Sequence, residues 1–121
     1  MSGVRRPFVK CQTIGPLTFG LTVADERNRP LWHHEAYRDV LTKHLAMKCR
    51  WQVQRFRGFA GRVLCFLDEP MLGALARSEY AAVHEDDVVA RIAEVVYAIR
   101  TEGALAGVHC CGDTDWPVRL D

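Results

Sequence analysis

Three short apolar runs, separated by two long segments with helical periodicity, constrain the fold of this chain more than any other feature. The runs cover residues 8–14, 62–67 and 104–111, and the helical segments cover residues 31–57 and 86–102. This alternation favours parallel strands, because each crossover is long enough to return the chain to the same end of a sheet. The sequence therefore predicts an α/β fold, a single βαβαβ unit in one domain over residues 1–121.

Finer expectations follow from local patterns. The uninterrupted apolar run at 62–67 is typical of a strand covered on both faces. Residues 17–23, after the turn signal Gly15-Pro16, are expected to be extended or loop, and residues 71–83 are expected to form a connector with at most a helical turn. We expect a core that contains the aromatic side chain of the first helix, the apolar stripe of the second and the small cysteine side chains: Trp51; Val88, Val89, Ile92, Val95, Val96 and Ile99; Cys11, Cys49 and Cys65.

Charge and composition narrow the class of partner. Sixteen Lys and Arg residues are interspersed with fifteen Asp and Glu residues, for a net charge of +1, so we expect neither nucleic acid nor a membrane as partner. The sequence has no apolar stretch near the roughly 20 residues that span a bilayer, and no signal-peptide pattern at its start. Five cysteines without a Cys-x-x-Cys pair indicate a reducing compartment, so we expect a cytoplasmic protein.

Polar and reactive residues follow each predicted strand. Gly15-Pro16 follows the first strand, Asp68-Glu69-Pro70 follows the second, and the third ends in His109-Cys110-Cys111-Gly112-Asp113. Parallel α/β folds bind ligands at the carboxyl ends of their strands. Side chains alternate along a strand, so His109 and Cys111 would share a face, and imidazole and thiolate are ligands that zinc prefers. This edge is the predicted functional site.

Each of these residues also has a structural alternative. His109 and Cys111 could be buried and hydrogen-bonded, and Asp68-Glu69 could form a turn in which Glu69 caps a helix or makes a salt bridge. Cys110 is expected to pack. The remaining histidines lack the i, i+4 spacing of a helical metal motif and are expected at the surface: His33, His34, His44 and His84.

Three motifs, in order and at βα spacing, carry a family resemblance. The series Ile14-Gly15-Pro16-Leu17-Thr18, Phe66-Leu67-Asp68-Glu69-Pro70 and Gly107–Trp116 resembles the catalytic barrel of cobalamin-independent methionine synthase. It is still more similar to uncharacterised bacterial proteins of the uroporphyrinogen decarboxylase and methionine synthase-like superfamily. The match covers nearly the whole chain. The resemblance implies a TIM barrel, of which this chain would supply about three of the eight strands.

The resemblance also implies a chemistry. His109 and Cys111 match a zinc-binding pair, which in the family is completed by a Glu and a Cys further along the chain, beyond Asp121 here. Zinc deprotonates a bound thiol such as homocysteine, which then takes a methyl group from a folate-type donor. Asp68 matches a residue that holds the substrate amino group, and Gly15, Pro16 and Thr18 match the loop near the substrate. The implied function is thiol methylation by a barrel that is incomplete in this chain alone.

Two other functions remain open. One is the metal-free decarboxylase-like branch of the same superfamily, against which the His-Cys pair and the lack of an Arg cluster near the strand ends count. The other is a non-catalytic module that completes its sheet by association. A three-stranded parallel unit has two open edges, so we expect a homo-oligomer or a complementing barrel chain as partner.

Overall fold

The computed structural model describes residues 6–58 and 60–110 and shows a mixed α/β fold. Two helices separate the first two strands and one helix separates the last two, with three short 3₁₀ turns in the connections. In chain order the elements are β1 (Arg6–Ile14), α1 (Pro16–Thr22), a 3₁₀ turn (Leu31–His33), α2 (Glu35–Phe56), β2 (Ala60–Asp68), 3₁₀ turns at Pro70–Ala74 and Ser78–Tyr80, α3 (Glu85–Thr101) and β3 (Leu105–His109).

The three strands form one parallel sheet in the order β1-β2-β3. Cys11 of β1 pairs with Cys65 of β2, which pairs with Ala106 of β3. The strand order follows the chain order. Because the strands are parallel, all three carboxyl ends lie at one edge of the sheet. The predicted α/β class and its parallel sheet are confirmed.

Within residues 6–58 and 60–110, helices cover one face of this sheet and leave the other open. Burial alternates along β1 and β2, and the buried strand side chains share one core with residues of α1, α2 and α3. On the opposite face Phe8 and Leu105 are 59% and 50% exposed, and Leu64 and Phe66 are half-buried. The prediction that β2 is covered on both faces was therefore wrong. Its continuous apolar run places Val63, Cys65 and Leu67 on the covered face. The residues between them lie on the open face.

A short helix replaces the extended segment expected at residues 17–23. α1 begins with Pro16 at its first position, where the fixed φ of proline suits a helix and its missing N–H costs nothing. Leu17, Thr18 and Leu21 of α1 are buried. Seven residues are too few to show a clear 3.6-residue period, so periodicity could not predict this helix.

The helix expected at 31–57 begins later than predicted, and its tryptophan, Trp51, lies on the solvent-exposed face of the helix. A 3₁₀ turn at Leu31–His33 precedes α2, whose inward face carries Leu41, Leu45, Cys49 and Val53. Trp51 is 60% exposed, so its assignment to the core was wrong. The buried aromatic residue is Trp32, which is 2% exposed and packs against Gly20 of α1.

α3 presents its predicted stripe to the core. Of the six residues of the stripe, five are buried and Val89 is half-buried; the buried ones are Val88, Ile92, Val95, Val96 and Ile99. Glu85, Asp86 and Asp87 lie in the first turn, where negative charge favours the helix N-terminus. Gly103, with φ of 82°, follows the helix and lets the chain turn into β3. Among the described residues, no helix combines the length and hydropathy required to cross a bilayer.

Candidate functional site

The carboxyl ends of the three strands meet as the sequence predicted. Ile14 pairs with Asp68, and Asp68 pairs with His109, so these residues form one row across the sheet. Backbone hydrogen bonds extend the row: the Gly15 N–H donates to the Asp68 carbonyl oxygen at 2.8 Å, and the Glu69 N–H donates to the His109 carbonyl oxygen at 2.8 Å. The loops that follow β1 and β2 are therefore each bound to the end of the neighbouring strand.

Glu69 connects these two loops. Its side chain is fully buried, and its carboxylate accepts the Leu17 N–H at 3.0 Å and the Thr18 N–H at 2.8 Å. These amides lie in the first turn of α1, where no intrahelical carbonyl can reach them. Thr18 Oγ1 in turn accepts the Met71 N–H at 3.2 Å. Glu69 is thus a helix cap supplied from a distant strand end, the structural alternative that the sequence had left open.

The electrostatics of Glu69 are dominated by its burial. Removal from water raises the pKa of this carboxyl group to about 6, and the hydrogen bonds from Thr18 and Leu17 offset only part of that rise. Gly15 makes the close approach possible. A Cβ atom at Gly15 would lie 2.1 Å from the Glu69 Cδ atom, so any larger residue would collide with the carboxylate.

Asp68 and His109 lie on the face of the sheet that the helices leave open. The Oδ1 atom of Asp68 is buried and has no hydrogen-bond partner within residues 6–58 and 60–110. Buried polar atoms in native proteins nearly always have a partner, so this oxygen has the capacity to accept a hydrogen bond from a ligand. His109 is exposed and neighbours Asp68 across β2 and β3.

Phe66 forms the floor next to Asp68 on this open face. Its ring occupies the space above Gly107, where a Cβ atom would lie 2.5 Å from the Phe66 Cε1 atom. The ammonium group of Lys10 lies 4.9 Å from the ring centroid, a cation–π contact. Sequence reasoning missed this arrangement, although a glycine beside an aromatic residue on adjacent predicted strands was a usable signal.

The predicted zinc pair is only partly covered by the structure. Cys111 and Asp113 lie outside the described residues. Within the described part of the chain, no group of three His, Cys, Asp or Glu residues is arranged to hold a metal ion.

The other described cysteines are buried or half-buried, and the other histidines lie at the surface. Cys11 and Cys65 are buried, free thiols on the helix-covered face of the sheet, Cys49 is a buried, free thiol of α2, and Cys110 is half-buried. The hydrogen bond to Cys49, together with burial, raises the pKa of the Cys65 thiol. We infer that Cys65 stays protonated and serves packing. The four histidines expected at the surface are exposed: His33, His34, His44 and His84.

Comparisons with known proteins leave the site without an assigned family. No protein-family model, curated protein or solved structure matches this chain.

Proposed function

We propose that this chain is a segment of a (β/α)₈-type barrel that methylates a small thiol with the aid of zinc. The observation that carries the proposal is the row formed by Ile14, Asp68 and His109 at the carboxyl ends of three consecutive parallel strands. Reacting groups of barrel enzymes occupy this position.

The sheet topology supports a barrel segment over an open doubly wound sheet. In open sheets the strand order reverses and helices cover both faces. Here the order follows the chain, and the buried faces of α2 and α3 share one core on one side of the strands. Closure by further strands would turn the open face, with Phe66, Asp68 and His109, toward a barrel interior.

Asp68 is the residue that we assign to substrate binding. The unpartnered Oδ1 atom is suited to accept a hydrogen bond from a substrate ammonium group, as the resemblance implies. Gly15, Pro16 and Thr18 act indirectly: the Gly15 N–H is bound by the Asp68 carbonyl oxygen and the Thr18 N–H by the Glu69 carboxylate, with Pro16 between them. We expect them to position the edge of the site and not to react.

Zinc would hold a substrate thiol as its thiolate at this edge. His109 offers one ligand, and Cys111 follows two residues later in the sequence. The described residues alone do not complete a zinc site. The proposal therefore requires Cys111 and ligands from further chain segments or a second copy, and the methyl donor would be of the folate type.

Zinc content per chain is the direct test. With the missing ligands supplied by a second copy, we expect near-stoichiometric zinc in protein that has been reloaded with the metal and dialysed against a weak chelator. His109→Ala and Cys111→Ser should each lower the content several-fold, because loss of a ligand weakens a zinc site strongly. His84→Ala, an exposed histidine at the start of α3, is the matched control and should retain zinc. Zinc content unchanged by both ligand substitutions would refute the metal assignment.

The open face also favours a second candidate, a module that completes its sheet by association. Phe8 and Leu105 expose apolar surface there, and β1 and β3 each have one edge that no described strand pairs. Light scattering should then show a dimer or larger species, which Phe8→Glu combined with Leu105→Glu converts to a folded monomer. A wild-type chain that is already a folded monomer would remove this candidate.

A further inference from the structure

A second apolar stripe runs along the solvent side of α2. It comprises Tyr37, Val40, Met47 and Trp51, with His44 between them, and we call it the outer stripe. Its four apolar side chains are 44%, 66%, 70% and 60% exposed. The core-facing residues of α2 lie on another face of the helix, so the core of this chain does not use the outer stripe.

The spacing of the outer stripe is that of a helix-packing seam. Positions 37, 40, 44, 47 and 51 follow one another at alternating intervals of three and four, which places them at a and d of successive heptads. Such a seam is narrow. A helix that binds a bilayer surface presents a wider apolar face, so the pattern favours a partner helix over a lipid surface.

The charged residues that α2 itself places beside the seam are all cations. Residues 40–57 include five Lys or Arg residues and no Asp or Glu. Four of these cations occupy the e and g positions beside the seam: Lys43, Lys48, Arg50 and Arg55. A second copy of α2 would bring like charges together, whereas acidic residues at e and g of a partner would complement them.

The contacts of these cations hold them in place beside the seam. Lys43 lies 3.4 Å from Glu94 of α3, and Arg50 lies 3.0 Å from Glu102, which follows α3, so both are held by ion pairs within the chain. The guanidinium of Arg55 lies 5.7 Å from the Trp51 ring. The cationic border is therefore partly fixed before any partner binds, which lowers the entropic cost of docking.

A depression at the end of the seam offers an anchoring point. Met47, Arg50, Trp51 and Gln54 line it, and its volume is about 300 Å³. Methionine and tryptophan are adaptable and area-rich contact residues, which suits a pocket for one large apolar side chain.

We propose that the outer stripe of α2 docks an amphipathic helix of a partner protein, with apolar residues at a and d and acidic residues at e and g. This interaction surface is separate from the strand-end site and independent of its chemistry.

A designed peptide tests the proposal on the intact chain. The probe is a fluorescein-labelled helical peptide about three heptads long, with Leu at a and d and Glu at e and g; the matched peptide has Lys at e and g. Anisotropy should show saturable binding of the acidic peptide that weakens with added salt, and at least tenfold weaker binding of the basic peptide.

Variants of the chain locate the binding surface. Trp51→Ala and Met47→Glu should each weaken binding at least tenfold while thermal unfolding stays unchanged, because both side chains are mostly exposed. Tyr97→Ala, at a 71% exposed aromatic residue on α3, should bind like wild type.

Four outcomes would overturn the proposal. The first is failure of the acidic peptide to bind, and the second is equal binding of the two peptides. The third is Trp51-dependent binding to phosphatidylglycerol vesicles without peptide binding, which would assign the stripe to a lipid surface. The fourth is Trp51-dependent self-association, which would assign it to a second copy.

Discussion

Gly15→Ala is expected to destabilise the chain by about 3 kcal/mol or more. The new Cβ atom would lie 2.1 Å from Cδ, 2.4 Å from Cγ and 2.5 Å from Oε1 of Glu69. Glu69 cannot move away cheaply, since its carboxylate is buried and bonded to two amides of α1. Urea denaturation followed by circular dichroism measures the loss as a lower midpoint with an unchanged slope.

Gly58→Ala is the matched control for Gly15→Ala. The nearest atom to a Cβ at Gly58 is the Arg55 carbonyl oxygen at 3.9 Å, an ordinary contact. We expect a change within about 0.5 kcal/mol of wild type. If Gly15→Ala unfolded at the same urea concentration as Gly58→Ala, the close packing of Glu69 against Gly15 would be refuted.

Glu69→Ala is expected to cost about 3 kcal/mol at neutral pH. The truncation leaves the Leu17 and Thr18 N–H groups buried without an acceptor, and it opens a cavity between two loops. Glu79→Ala is the control, because the Glu79 side chain is 62% exposed and makes only a long ion pair with Arg77, at 3.8 Å. The control should unfold like wild type.

The same variant reveals the proton linkage of Glu69. The pKa of Glu69 is raised from 4.5 to about 6 on folding, mainly by burial, so the folded chain binds this proton more tightly than the unfolded chain. The stabilisation of the folded state by this tighter proton binding is therefore complete below pH 4.5 and is lost as the pH rises through 6.

The shift corresponds to about 2 kcal/mol. The stability difference between wild type and Glu69→Ala should thus grow by about that amount on acidification from pH 7.5 to pH 4.5. A difference that is constant over this range would contradict the raised pKa.

Sequence patterns predicted the sheet because its signals are local. The spacing of apolar residues within a single segment was enough to predict each of β1, β2 and β3 and the valine-rich stripe of α3. Patterns failed where a residue's role depends on distant chain segments. Trp51 is a large aromatic residue of the kind found in cores, but the core-facing side of α2 consists of other residues, among them Leu41, Leu45 and Cys49.

The candidate site, like the fold, could be predicted only in part. That the strand ends meet follows from parallel topology, and the row of Ile14, Asp68 and His109 agrees with it. That Glu69 would reach across to cap α1 could not be read from either motif alone, since the acceptor and the amides are 51 and 52 positions apart. Only Gly15, with no side chain, gave an indication of the close approach.

The long separations within this sheet have a consequence for folding kinetics. Arg6 pairs with Ala60, and Leu64 pairs with Leu105, so no strand pair can form as a local hairpin. Each pairing must close a loop of about 40 residues or more before any hydrogen bond compensates the entropy lost. We therefore expect α2 and α3 to form early, with the Glu69 cap among the last contacts, and the chain to fold more slowly than a helical bundle of its length.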